Sequence, residues 1–485
     1  MRAPSLLLLL ALSVGAAGRL NVLLVLVDDL RPALGCYGDP LAVTPNLDRL
    51  AVQSTLFSRA YAQQALCGPS RTSLLTSRRP DTTRLFDTGS YWRQAAGNFS
   101  SLPQLFRERG YYTASMGKVF HPGIVSNYSD DQPYSWSEPP YHPSSQADKD
   151  APVCLGEDGK PHSNLYCPVD VSAQPQRTLP DIQTVQRAAR WLQDRSGRAE
   201  PWMLAVGLHK PHIPLKMPWQ YLNLYPIDSV SPPAQPTRPA GLPPVAWNPW
   251  SDVRHRDDVR QLNISFPYGP MPGFFARFVR QAYYAAVSYV DELVGQLLEA
   301  LATAGHADNT VILLCGDHGW ALGERGEWAK YSTSEDATRT PLLLHLPSRS
   351  GSLAGFRRVS ALHRLQTRPV EGGAVHVSTP VELVDPPPAA DVVAACDAPV
   401  AAAAVAFSQY PRPSVTPRAD SDQPRLRDVA VMGFSARSAR YRYTEWVRYD
   451  PATMRPLWRH LVADELYDHA VDPLEAANLA QAPTA

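Results

Sequence analysis

Residues 67–80, CGPSRTSLLTSRRP, place one thiol beside the guanidinium groups of Arg71, Arg78 and Arg79, with Arg84 close behind, in a run compatible with a helix. A cysteine alone reads as a small buried apolar side chain, or in a secreted chain as half of a disulfide. By residue type Cys67 is open to both readings, and the pattern C-G-P-S-R adds a third, covalent chemistry, only through its likeness to a family signature. A second set of candidates is acidic. Asp28 and Asp29 close the apolar run NVLLVLV, and adjacent carboxylates repel each other unless a counter-charge joins them, which a hard divalent cation supplies. Asp317 and His318 close another apolar run, TVILLCG. Basic groups follow the same rule: Lys118 and His121 come three residues apart after YYTASMG, and His209, Lys210 and His212 follow PWMLAVGL. The His209-x-x-His212 spacing would suit zinc on a continuous helix, against which Pro211 argues. His212 therefore reads as an acid or a substrate contact.

What must position these groups is a set of strand ends. NVLLVLV is rich in β-branched residues and leucine and apolar on both faces, the mark of a central parallel strand covered by helices above and below. Open sheets of that kind gather their ligands at the carboxyl ends of the strands. Between the strands, TPNLDRLAVQSTLF reads as a helix with Pro45 and Asn46 at its start, LPQLFRERG as a helix closed by Gly110, and TVQRAARWLQDR as an amphipathic helix. The clearest helix carries Tyr283, Val287, Val290, Val294, Leu298 and Leu301 at three- and four-residue steps and stops at Gly305. It reads as core packing without chemistry. The Pro-rich, aromatic stretch 214–272 predicts an ordered loop forming one wall of a cleft. The expected class is α/β: a large mixed, mostly parallel sheet between helices, with a smaller C-terminal α+β subdomain. A chain of 485 residues exceeds one small core.

Composition narrows the partners. With 46 basic and 46 acidic residues there is no global field to draw in nucleic acid, so an anionic substrate needs a local cluster. Arg2, the apolar run LLLLLALSV and the small residues from Gly15 to Gly18 read as a cleavable secretory leader, since the run is shorter than the ~20 residues that span a bilayer. Asn98, Asn127 and Asn263 head glycosylation sequons, in agreement with secretory entry. Of six cysteines, Cys154 and Cys167 bracket a short polar loop and form the best disulfide pairing, while Cys315 lies in an apolar strand as a buried thiol.

The motifs C-G-P-S-R and G-D-H-G resemble the sulfatase family, in the alkaline phosphatase superfamily, and the likeness extends over most of the chain. The segments KVFHPG, KPHIP and SQYPRPS narrow it to lysosomal exosulfatases acting on the 2-O-sulfate of iduronate in heparan sulfate and dermatan sulfate. The resemblance implies that Cys67 is oxidised to formylglycine by the formylglycine-generating enzyme, and that Asp28, Asp29, Asp317 and His318 hold Ca2+ together with residue 67. It implies that Arg71, Lys118 and His121 anchor that residue, that Lys118, His212 and Lys330 hold the sulfate, and that Trp320 lies beside the sugar. Two alternatives stay open: a sulfatase for another sulfated sugar or an aryl ester, and an inactive glycosaminoglycan-binding homologue. The chain departs from the family pattern at Ser77, where glycine is usual; at Gly316, where serine is usual; at Arg325, where a second histidine is general; and at Gln423, where lysine is common. A shortened Ala/Pro-rich stretch leaves Cys396 without a partner. The expected divisions are a leader 1–18, a catalytic domain 19–385, a joint 386–400 and a C-terminal subdomain 401–485.

Overall fold

Strand β1 (Asn21–Val27) is buried along its whole length. Its alternate side chains enter two cores. Leu23, Val25 and Val27 join Val287, Val290 and Val294 of the helix Gly273–Thr303, whereas Val22, Leu24 and Leu26 join Leu74 and Leu75 of the helix Cys67–Thr76. A strand with no polar face must be covered on both sides, so the sheet lies between two helical layers. The computed structural model describes residues 19–156, 158–347, 352–363, 375–384 and 404–481; the expected leader, the joint 386–400 and Cys396 lie outside them.

The large sheet adds β2 (Thr55–Tyr61), β3 (Tyr112–Gly117), β4 (Trp202–Leu208), β5 (Thr310–Gly316), β6 (Arg339–His345), β7 (Val375–Val377) and β8 (Val381–Glu382). Its order is β7-β2-β6-β5-β1-β4-β3, with β8 also paired to β2. Only β6 runs antiparallel to its neighbours, giving the expected mixed, mostly parallel sheet. A second sheet is antiparallel in chain order: β9 (Ala406–Arg412), β10 (Val431–Arg437), β11 (Tyr441–Asp450) and β12 (Arg455–Asp468). It docks on the first through Gln409 N donating to Gln63 O (2.8 Å) and Arg412 Nη2 donating to Tyr331 O (2.7 Å).

The structure corrects one local expectation. TPNLDRLAVQSTLF is not one helix, because the helix ends at Val52 and β2 begins at Thr55. Thr55, Leu56 and Phe57 suit a pleated surface and are claimed by pairing between β6 and β7. Cys154 and Cys167 are bonded, with Cα atoms 4.8 Å apart, and Cys315 is a buried free thiol. Among the described residues no helix is long and apolar enough to cross a membrane.

Candidate active site

The parallel strands β5, β1, β4 and β3 are consecutive neighbours, so their carboxyl ends lie side by side. Val27 is level with both Gly316 and Leu208, and Gly117 with Gly207. The ladder runs one step further: Asp317 N donates to Val27 O (3.2 Å), Asp28 N to Leu208 O (3.1 Å) and Lys118 N to Gly207 O (2.9 Å). Beyond that step the chain turns sharply. Asp29 has φ 59°, a left-handed conformation, and is held there by Tyr283, whose hydroxyl donates to Asp29 O (2.8 Å). Tyr283, read from periodicity as core packing, packs its ring in the core and spends its hydroxyl on the site.

Cys67 is the first residue of its helix, preceded by the extended Leu66, so the partial positive charge of the helix N-terminus surrounds it. Its Sγ lies 3.1 Å from Lys330 Nζ, 3.3 Å from His318 Nε2 and 4.0 Å from Asp29 Oδ1. Ser70 Oγ donates to Asp317 O, which gives the serine of C-G-P-S-R a task. Arg71, buried one turn along, donates through Nη2 to Asp28 Oδ1 and through Nε to Asp317 Oδ2, both at 2.9 Å, and through Nη1 to the carbonyls of Lys118 and Val119. One planar fork thus ties the ends of three strands.

The carboxylates are balanced unequally. Lys118 Nζ donates to Asp28, and Lys330 Nζ donates to Asp29 Oδ1 at 2.6 Å. Burial penalises the Asp28 charge, yet Lys118, His212 and Arg71 outweigh it and hold Asp28 well below the usual carboxylate range. At Asp29 burial prevails over Lys330 and pushes the carboxyl up to about 7. His318, despite burial, is pushed up to about 9 by Asp317. Its Nδ1 lies 2.9 Å from Gly319 O, which leaves Nε2 facing Cys67, Asp29 Oδ1 (3.4 Å) and Asp317 Oδ2 (3.5 Å).

A cation fits this donor set. Ligand atoms of Asp28, Asp29 and Asp317 lie within 4.8 Å of one another, as do those of Asp29, Cys67 and His318 and those of Asp28, Cys67 and His212. Asp29 Oδ2 is buried without a hydrogen-bond partner among the described residues. Clustered carboxylate oxygens with an orphaned acceptor suit a hard divalent ion.

The remaining predicted residues are placed as follows. His212 Nε2 lies 3.9 Å from Asp29 Oδ2, and its Nδ1 lies 2.7 Å from Ile213 O. His209 is turned elsewhere, with Nδ1 3.1 Å from Asp181 Oδ1, so the two rings do not form a zinc pair. His121 Nδ1 is buried without a hydrogen-bond partner among the described residues. Trp320 is 1% exposed and its ring lies 5.8 Å from Lys330 Nζ, a cation–π contact. Sequence reasoning missed Asp181, which accepts from His209 N (2.7 Å) and Lys210 N (3.0 Å) and so shapes the loop carrying His212. An isolated aspartate at a helix start carries no signal of that task.

The departures acquire physical settings. Ser77 closes its helix at φ 52°, where glycine is free of the Cβ penalty. Arg325 is buried and pairs with Glu475 (2.6 Å) and Glu327 (2.7 Å), bracing the C-terminal segment. Gln423 Nε2 lies 3.1 Å from Tyr331 OH, while Arg418 is paired with Asp420.

The helix that carries Cys67 opens onto a ring of acids along parallel strand ends, and the chain belongs to the sulfatase family, a class of hydrolases, which residues 20–364 match. Iduronate 2-sulfatase of Mus musculus is 47% identical over 503 residues, 96% of this chain and 91% of that protein. The Homo sapiens iduronate 2-sulfatase is 47% identical over 95% of this chain and 91% of its own length. Among solved structures, the phosphonate monoester hydrolase of Agrobacterium radiobacter shares the fold with a TM-score of 0.67 at 20% identity, covering 96% of this chain and 92% of that one.

Proposed function

We propose that this protein is a lysosomal exosulfatase that removes the 2-O-sulfate from terminal iduronate of heparan sulfate and dermatan sulfate, with residue 67 as formylglycine and Ca2+ as the metal. The observation that carries this reading is the buried meeting of Asp28, Asp29, Asp317 and His318 around residue 67 in a chain 47% identical to an iduronate 2-sulfatase. Those four side chains and residue 67 would hold the ion, which would supply charge compensation where negative charge gathers. Formylglycine, hydrated, would supply an oxygen nucleophile and a way to expel sulfate by re-forming the aldehyde.

The chain's own residues do the rest. Lys330 presents its ammonium beside residue 67 and Lys118 its own on Asp28, and the two balance the charge that grows on sulfate oxygens. His212 keeps Nε2 free to deliver a proton to the departing sugar oxygen. Burial, then Lys330, holds its pKa well below the usual imidazole range; a proton on Nε2 requires the imidazolium, which the negative charge of a sulfate ester favours. Burial and Lys118 hold the pKa of His121 well below the usual imidazole range, which favours the neutral form that can accept a proton. Arg71 orients the strand ends, and Trp320 would steady Lys330 next to the sugar.

Secretory routing is supported by the leader pattern and by exposed Asn98, Asn127 and Asn263, which we assign as glycan sites. The family match ends at residue 364 and the antiparallel sheet begins at Ala406, in keeping with a catalytic domain to 385 and a C-terminal subdomain from 401. The test is expression with the formylglycine-generating enzyme. Mass spectrometry of the residue 67 peptide is expected to show the aldehyde, and an iduronate 2-sulfate disaccharide to lose sulfate with wild type and not with Cys67→Ser. An intact thiol or no sulfate release rejects the reading.

A further inference from the structure

A cleft lined by Lys118 and His212 continues past Gln146, Lys149, Gln174 and Thr178. Lys149 follows the 3-10 turn Ser144–Asp148, which is fastened on two sides. Ser145 donates through N (3.1 Å) and Oγ (2.6 Å) to Gln183 Oε1 on the helix Pro180–Asp194, and Lys216 Nζ donates to the carbonyls of Asp148 (2.9 Å) and Lys149 (3.0 Å). The backbone of Lys149 is therefore placed rather than free.

The other charges of the cleft are already engaged. Lys118 is paired with Asp28, Lys210 Nζ donates to the carbonyls of His212 and Pro214, and Lys216 is used as above. Asp28 is shared by Arg71 and Lys118, Asp181 receives two backbone N–H groups, and Asp148 accepts from Gln176 (2.8 Å). The ammonium of half-buried Lys149 has no hydrogen-bond or ion-pair partner among the described residues. Burial lowers its pKa and Lys118 adds to the effect, against the opposing charge of Asp150, so the cation is held at a cost that an anion in the cleft would offset. His212, on the departing-oxygen side of the proposed reaction, lines the same cleft, so the saccharide beyond the scissile ester extends along it.

We infer that Lys149 is the cationic contact of a saccharide subsite, taking a carboxylate or sulfate substituent of the sugar that bears the departing oxygen or of the sugar next to it. This rests on the sulfatase reading above. The experiment compares wild type with Lys149→Ala, Lys149→Glu and Lys149→Arg on three substrates: a 2-sulfated iduronate on a neutral aglycone, its carboxyl-reduced counterpart, and a disaccharide whose second sugar carries another sulfate. Loss of a charge-assisted hydrogen bond is expected to raise KM about tenfold or more in the alanine variant, further in the glutamate variant and little in the arginine variant, with kcat within about twofold of wild type. A rise that disappears on carboxyl reduction assigns the carboxylate, and a rise confined to the disulfated disaccharide assigns the sulfate. Unchanged KM on all three substrates, or a fall in kcat alone, overturns the subsite. Calorimetric binding of the disulfated disaccharide to Cys67→Ser protein needs no turnover. Weaker binding when Lys149→Ala is added supports the subsite even where wild type releases no sulfate, an outcome that rejects the proposed function instead; equal binding overturns the subsite.

Discussion

Arg71→Ala would remove the guanidinium that Asp28 and Asp317 share. Both carboxylates are 1% exposed, so neither regains water in exchange. Two ion pairs at 2.9 Å disappear together with the donors to the Lys118 and Val119 carbonyls. Breaking a buried pair by deleting one partner costs about 3–5 kcal/mol. The two losses do not simply double, because Asp28 keeps Lys118, while Asp317 Oδ1 keeps the N–H groups of Asp29 and His318 at 3.0 Å. We expect destabilisation of about 3–5 kcal/mol in urea or thermal unfolding, a large share of the ~5–15 kcal/mol that holds a typical domain. Arg71→Lys should fall in between, since one ammonium cannot span both acids. A divalent ion among Asp28, Asp29 and Asp317 would replace part of the missing charge, so the loss should shrink when Ca2+ is supplied and grow in chelator. A variant within about 1 kcal/mol of wild type in chelator, or one indifferent to Ca2+, would refute this reasoning.

Stability should also depend on pH through Asp422, whose carboxyl is pushed by burial, and then by Asp252, from 3.8 up to about 8. The folded state therefore holds the proton longer than the unfolded state, and this contribution is complete below the unfolded pKa and lost as pH rises through about 8. The wild-type melting temperature should decline from about pH 5 to about pH 8 and that of Asp422→Asn should decline less; equal slopes would count against the assignment. At Gly316, a Cβ would press on Thr340 Oγ1 and lie 2.5 Å from Leu30 O. Gly316→Ser should cost about 1–3 kcal/mol, and adding Thr340→Ala should recover part of it; strictly additive effects would show that the contact is not the cause.

Much of the site is legible in the chain because strand ends announce themselves. β1, β4 and β5 are apolar on both faces and stop at charges, and a parallel sheet can put such charges only at its carboxyl edge. Cys67, Asp28, Asp29, Asp317 and His318 were therefore identifiable from residue type, local pattern and family motif together. The break between Val52 and Thr55 was not, because the choice between helix and strand there is made by partners β6 and β7 far along the chain. Tyr283, Asp181 and Lys149 were invisible for a related reason: their tasks depend on atoms brought beside them by other elements.

Local composition determined which apolar runs are buried and which residues close them, since long apolar runs leave water. Tertiary structure decided which acid meets which cation. Asp29 and Asp317 are 288 positions apart and touch only because β1 and β5 are adjacent strands. Lys149, whose ammonium is unpaired among the described residues, sits beside the cleft because Lys216 and Gln183 fasten its turn, and no short stretch of sequence carries the strand order or loop path that sets such distances.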